Sequence, residues 1–200
     1  MKINIRKVCV MAKVSIIGTG TWGIALGMVL AQNGHEVTAW SALPKEIEAL
    51  KESYTCKNLP GVEIPRSIVF TADLKEACTD KEMLVLSVPS VFTRGVAKQM
   101  NPFVKEGQLI VSVAKGIEEK TLMTMSQQIE QELPMANVAV LSGPSHAEEV
   151  SRGIPTTVVV GAKDRQTAEH IQNLFMSSVF RVYTSPDILG IELGGALKNV

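Results

Sequence analysis

Val14-Ser15-Ile16-Ile17-Gly18-Thr19-Gly20-Thr21-Trp22-Gly23-Ile24-Ala25-Leu26 is the stretch whose reading decides the fold. Val14–Ile17 reads as a short buried strand. Thr21–Asn33 has helical spacing, with Ile24, Leu26, Met28, Val29 and Leu30 as its apolar positions. Between them stand glycines at GxGxxG spacing. Gly18 permits a tight turn, Gly20 lets backbone approach a pyrophosphate, and Gly23 lets helix and strand pack closely. The helix N-terminus contributes free N–H groups and the positive end of its dipole. A GxGxxG alone says little; a strand before it and a helix after it make it a dinucleotide-binding turn.

Further β-α units follow. Asn33-Gly34 stops the first helix, Val37–Trp40 is the next strand, and Pro44–Glu52 is a charged helix. Ile68–Phe70, Met83–Val88, Leu109–Val113, Val138–Leu141 and Thr156–Val160 read as strands. Asp73–Cys78, Val91–Met100, Glu118–Glu132 and Arg165–Met176 read as helices. Nearly all-apolar strands spaced by helices specify an α/β fold: a Rossmann-like, doubly wound, mostly parallel sheet with helices on both faces. The usual carboxylate about 20 residues beyond the glycines is missing, because Trp40 is followed by Ser41-Ala42-Leu43. NAD(H) and NADP(H) both stay open.

The chain has 200 residues, 46% hydrophobic and 4% aromatic, with 20 basic and 20 acidic side chains. This composition excludes a disordered chain. Zero net charge and a pI near 6.8 argue against a nucleic-acid partner. No apolar run reaches the roughly 18 residues of a membrane span. Cys9, Cys56 and Cys78 are widely spaced and unclustered, so they read as reduced thiols of a cytoplasmic protein, with no metal site. Lys2, Arg6 and Lys7 before Val8–Met11 faintly imitate a signal peptide, but no small-residue cleavage site follows. Residues 1–12 are assigned to an N-terminal extension, with Met11 as an alternative start, and residues 13–186 to the dinucleotide-binding domain.

Other constellations carry chemistry. Val111-Ser112-Val113-Ala114-Lys115-Gly116 places a lysine just past a strand's carboxyl end, and Leu141-Ser142-Gly143-Pro144-Ser145-His146-Ala147 runs from a strand into a glycine turn. In an open α/β sheet those ends form the ligand crevice, where a lysine and free N–H groups suit a phosphate or carboxylate. Lys115 reads equally as a solvated loop lysine. Ser145 reads as a helix N-cap, with Glu148 completing a capping box. His35 and His170 read as surface residues; His146 could line the crevice. Trp22 and Phe92 read equally as core aromatics. Asp187–Val200 reads as a helix whose Gly190 and Gly194 share a face for close approach.

Six ordered motifs from Lys13 to Val200 resemble a known family. They are Gly18–Gly23, Asn33–Val37, Ser87–Ser90, Val113–Ile117, Leu141–Val150 and Glu192–Val200. The chain resembles the amino-terminal domain of NAD(P)-dependent glycerol-3-phosphate dehydrogenase, bacterial type. One departure is Ser41-Ala42, where family members often carry a basic residue. The resemblance implies hydride transfer between NAD(P)H and dihydroxyacetone phosphate, giving sn-glycerol 3-phosphate for glycerophospholipid synthesis. It implies Lys198 as proton donor and acceptor, and Lys115 as a catalytic group that holds substrate and touches the nicotinamide end. Gly143 and Ser145, with both lysines, would contact substrate. Gly18, Thr19, Gly20, Thr21, Trp22, Gly23, Phe92 and Ala147 would contact the cofactor. By the same resemblance residues 187–200 begin a helical substrate domain absent from this chain, and the full-length protein is a homodimer. A dehydrogenase of the β-hydroxyacid or 6-phosphogluconate type, and a non-catalytic dinucleotide-binding module, are the alternatives.

Overall fold

The structure, a computed structural model, describes residues 11–199. The glycine-rich stretch forms β1 (Lys13–Ile17) and α1 (Thr21–Gln32), followed by β2 (Glu36–Trp40), α2 (Pro44–Ser53), β3 (Val69–Thr71) and α3 (Leu74–Cys78). Then come β4 (Met83–Leu86), α4 (Thr93–Met100), β5 (Leu109–Ser112), α5 (Met125–Glu132), β6 (Asn137–Ser142) and α6 (Ala147–Ser151). β7 (Thr156–Gly161), α7 (Arg165–Phe175), β8 (Phe180–Ser185) and α8 (Ile188–Ala196) complete the order. The strands make one sheet, β3-β2-β1-β4-β5-β6-β7-β8, parallel throughout except where β7 runs against β6. No helix among the described residues is long and apolar enough to cross a membrane.

Both faces of the sheet are covered, which is why its strands are apolar almost without interruption. Val14 and Ile16 join the core under α1 and α7, whereas Ile17 joins the core under α3, α4 and α5. That alternation is the period-2 geometry of a strand. α1 lies deepest: Gly23 through Leu30 are all buried, between the sheet and α6. β1 pairs with β2 on one side (Ile17 with Trp40) and β4 on the other (Ile17 with Leu86). The chain reverses its direction of travel across the sheet there, so a crevice opens at the carboxyl ends of β1 and β4.

Several expectations are corrected. The helix expected over Glu118–Glu132 is only α5; before it the chain is irregular, with Gly116 and Leu122 at φ 155° and 59° and a bridge from Ile117 to Thr124. Thr124 and Gln127 form the capping box that starts α5. β8 was not anticipated, although Phe180 and Val182 are buried while Arg181 and Tyr183 between and beyond them are exposed. His35 is buried, not on the surface: it accepts from Ala12 N–H at Nδ1 (3.2 Å), so its Nε2–H donates to Leu174 O (3.1 Å). Ala12, assigned to the extension, is 1% exposed and packs in the core; residues 1–10 of that extension, Cys9 among them, lie outside the described residues.

The reversal at β7 positions the end of the chain. Because β8 is parallel to β7, it also runs opposite to β6. α8 then runs back along the sheet, packed on β6 and β7, and its last turn arrives at the carboxyl end of β6. The helix assigned to a separate substrate domain is therefore seated on this sheet. Its anchor is Glu192, 8% exposed, whose carboxylate accepts from Ser126 N (2.8 Å) and Ser126 Oγ (2.6 Å) at the start of α5. Of the α8 glycines, Gly190 is closed in by its own N-cap, with a Cβ 2.1 Å from Asp187 Oδ2, and Gly195 packs on the sheet, with a Cβ 2.7 Å from Ser142 Oγ; Gly194 faces open space.

Candidate active site

The turn after β1 is built by three different uses of glycine. Gly18 has φ 119°, and a Cβ there would meet Val88 N at 2.9 Å. Gly23 packs so tightly that a Cβ would stand 2.1 Å from Gly18 O and 2.5 Å from Ser87 Oγ. Gly20 is the reverse case, with no atom within 4 Å of where its Cβ would be. Nothing in the fold packs against position 20, so the backbone there is open to close approach. Gly20 also caps α1 without a side chain, which leaves the helix N-terminus available to an anion. Thr19 Oγ1 and Trp22 Nε1 are buried without a protein partner, so polar capacity at the turn is unspent.

This turn opens into a cavity of about 560 Å³, lined by Gly18, Thr19, Gly20, Trp40, Ser41 to Leu43, Glu46, Ser87 to Pro89, Val91, Phe92, Gly95, Val96 and Gln99. Its walls are chiefly apolar. Val91 and Phe92, 81% and 60% exposed, stand at its rim, so Phe92 is not a core aromatic. Beside the end of β2, Glu46 of α2 accepts from Ser41 Oγ through Oε2 at 2.6 Å. Glu46, five positions along the chain from Ser41, lines this cavity with it.

The second half of the site lies at the carboxyl end of β6. Lys198 Nζ donates to Ser145 O (3.1 Å), and Lys115 Nζ donates to Gly143 O (3.0 Å), so two ammonium groups converge on one turn. Lys115 also stands 5.9 Å from the centre of the Trp22 ring, which ties this turn to α1. Burial, and then the neighbouring Lys198 charge, hold the Lys115 pKa below the ordinary lysine range. Gly143 is required by packing, since a Cβ would stand 2.9 Å from Thr157 O. Gly143, Gly195 and Lys198 line a cavity of about 320 Å³ with Ser142, whose buried Oγ has no partner. Ser145 is not the cap of α6: its Oγ reaches back to Gly143 O, and His146, exposed, holds the cap position without a capping bond. Ala147 starts α6 and, like Trp22, packs partly buried against the core.

A family model described as NAD-dependent glycerol-3-phosphate dehydrogenase N-terminus matches residues 13–168. The chain belongs to that family. A glycerol-3-phosphate dehydrogenase [NAD(P)+] of Agathobacter rectalis is 62% identical over 191 residues, covering 95% of this chain and 57% of the relative. One of Fusobacterium nucleatum is 54% identical over 193 residues, covering 95% and 58%. The crystal structure of glycerol-3-phosphate dehydrogenase from Coxiella burnetii superposes with a TM-score of 0.88 at 29% identity, over 94% of this chain and 58% of that one. This chain thus spans between half and two thirds of the length of these family members. Family membership sets aside the β-hydroxyacid and 6-phosphogluconate alternative.

Within the family frame, the structure sorts the expected site residues into two groups. Gly18, Thr19, Gly20 and Phe92 line the larger cavity. Lys115, Gly143, Ser145 and Lys198 meet at the β6 turn, with Trp22 between the groups. Thr21 opens α1, and Gly23 serves the packing of α1 on the turn. Glu46 in the lining of the larger cavity, and Glu192 as the anchor of α8, are roles that the motifs did not assign.

Proposed function

We propose that the chain binds NAD(H) or NADP(H) in the Gly18–Gly20 cavity and that the whole protein reduces dihydroxyacetone phosphate to sn-glycerol 3-phosphate. The reaction is reversible and feeds glycerophospholipid synthesis. The observation that carries the reading is the convergence of Lys115 and Lys198 on the Gly143–Ser145 turn, beside Trp22 of the glycine-turn helix. The glycine turn and the N-terminus of α1 fit a pyrophosphate, because Gly20 is open and Thr19 Oγ1 is unpartnered. When bound, the dinucleotide supplies the hydride for the substrate carbonyl carbon.

The side chains then manage the oxygen. Lys198 holds a proton at Nζ and delivers it to the carbonyl oxygen as that oxygen gains charge; in the reverse direction Nζ takes the hydroxyl proton. Lys115, a second ammonium on the same turn, polarises the oxygen and attracts the substrate phosphate. The carbonyls of Gly143 and Ser145 orient the two ammonium groups. Residues 187–200 belong, in this reading, to the start of a helical substrate domain, and the whole protein is a cytoplasmic homodimer.

In the full-length protein, Lys198→Ala should cut kcat by a factor of roughly 10² to 10⁴, the usual contribution of a positioned acid or base. NADH affinity should stay within about twofold, since Lys198 acts on the substrate oxygen. Turnover close to wild type in Lys198→Ala would remove Lys198 from the proton-transfer role.

A further inference from the structure

We propose that the Ser41–Glu46 pair makes the site selective for the dinucleotide whose adenosine ribose carries a free 2′-hydroxyl, so that NADH is bound in preference to NADPH. The inference rests on the dinucleotide reading of the Gly18–Gly20 cavity and goes beyond it, because the glycine turn itself does not distinguish the two. In this fold the adenosine ribose meets the end of β2, where the discriminating side chain must stand.

Here that end is Trp40-Ser41-Ala42-Leu43, and it turns into α2. The turn is built rather than loose. Ser41, 6% exposed, accepts from Leu43 N through Oγ (3.2 Å) and donates from the same Oγ to Glu46 Oε2 (2.6 Å). One oxygen of the Glu46 carboxylate is thereby held at the cavity wall, with further lone pairs left to accept from ribose hydroxyls. A helix N-terminus at this place would otherwise attract a phosphate. α2 answers that in two ways: Pro44 at its start has no N–H, and Glu46 puts an acidic side chain in its first turn. No lysine or arginine lines the cavity among the described residues; Lys45, in the first turn of α2, is exposed and is not part of the lining. A 2′-phosphate, with roughly two negative charges near neutral pH, would meet the Glu46 carboxylate with no cation to offset it. A 2′-hydroxyl would meet an acceptor.

Fluorescence titration of the chain with NADH and with NADPH tests this. The wild-type chain should bind NADH at least tenfold more tightly than NADPH, the factor produced by about 1.4 kcal/mol of repulsion. Glu46→Gln keeps an acceptor for Ser41 and removes the charge. It should retain the circular dichroism of the folded chain, tighten NADPH, and lower the preference at least fivefold. The wild-type preference should also shrink between 0.05 and 0.5 M salt, roughly as screening of a surface charge demands. Equal affinities in the wild type, or an unchanged ratio in folded Glu46→Gln, would overturn the role of Glu46. Tighter binding of NADPH that is lost in Lys45→Ala would overturn it as well and hand selection to Lys45. If neither dinucleotide binds, the dinucleotide reading itself fails, an outcome distinct from equal binding of both.

Discussion

Two glycines of α1, one turn apart, make opposite predictions for the same substitution. Alanine is favoured over glycine inside a helix by about 1 kcal/mol, and a newly buried methyl adds about 0.8 kcal/mol. At Gly27 the new Cβ would lie 3.4 Å from Ile16 Cγ1, 3.7 Å from Val37 Cγ1 and 3.8 Å from Ile68 Cδ1, all ordinary contacts. Gly27→Ala should therefore stabilise the chain by roughly 1 kcal/mol. At Gly23 the Cβ would stand 2.1 Å from Gly18 O, where a carbon–oxygen contact needs about 3.3 Å. The start of α1 must shift by about 1 Å, or the Gly18 carbonyl must turn and lose the 2.8 Å bond from Ser87 Oγ. Overpacking of this kind, net of the helix gain, should cost about 2–4 kcal/mol. For a chain of this size that lowers Tm by roughly 5–15 °C. Thermal unfolding followed by circular dichroism, with NADH titration of each folded variant, measures both. A Gly23→Ala chain that melts with or above the wild type and binds NADH normally would refute the packing argument.

Three further outcomes are expected. Gly20→Asp should leave Tm within about 2 °C, because the position is open and Asp is a good N-cap residue, yet it should abolish NADH binding; normal binding would remove the pyrophosphate from this turn. Glu192→Ala strips Ser126 of a buried charged acceptor and should cost about 2 kcal/mol in urea unfolding, whereas a neutral effect would mean α8 is held by its apolar contacts alone. Burial pushes the Cys78 thiol up from 9.0 to about 12. The folded chain therefore keeps a proton there that the unfolded chain releases, so Cys78 costs the fold stability as pH rises through that window. Stability from pH 9 upward should fall less in Cys78→Ala than in the wild type, and at pH 8 a thiol reagent should label half-buried Cys56 ahead of Cys78 in the folded chain.

The local signals carried far where they had a physical mechanism acting over a few residues. A strand–turn–helix with glycines at fixed spacing places β1 and α1 to within a residue, because turn sterics and helix periodicity act along the chain itself. The start of α5 is also written locally, in the Thr124–Gln127 capping box, whereas the charged run from Glu118 suits a helix without starting one. β8 is poorly legible because one face of an edge strand is polar, so that Phe-Arg-Val-Tyr-Thr-Ser resembles a loop except in its alternation. His35 looked exposed for a similar reason: a polar ring in a turn gives no hint that Ala12 and Leu174 lie on either side of it.

The amino-acid sequence by itself therefore determined the β-α alternation, the apolar strands, and the glycine-built strand–turn–helix at Gly18–Gly23. Each follows from interactions among neighbours in the chain. The tertiary structure alone decided that Lys115 and Lys198, 83 positions apart in the sequence, converge on the Gly143–Ser145 turn. It also decided that Glu192 of α8 is held by Ser126 at the start of α5, 66 positions away. The reason is directional. β7 runs against β6, so α8 must return toward the carboxyl ends of the parallel strands, and no local pattern encodes which way a strand enters a sheet.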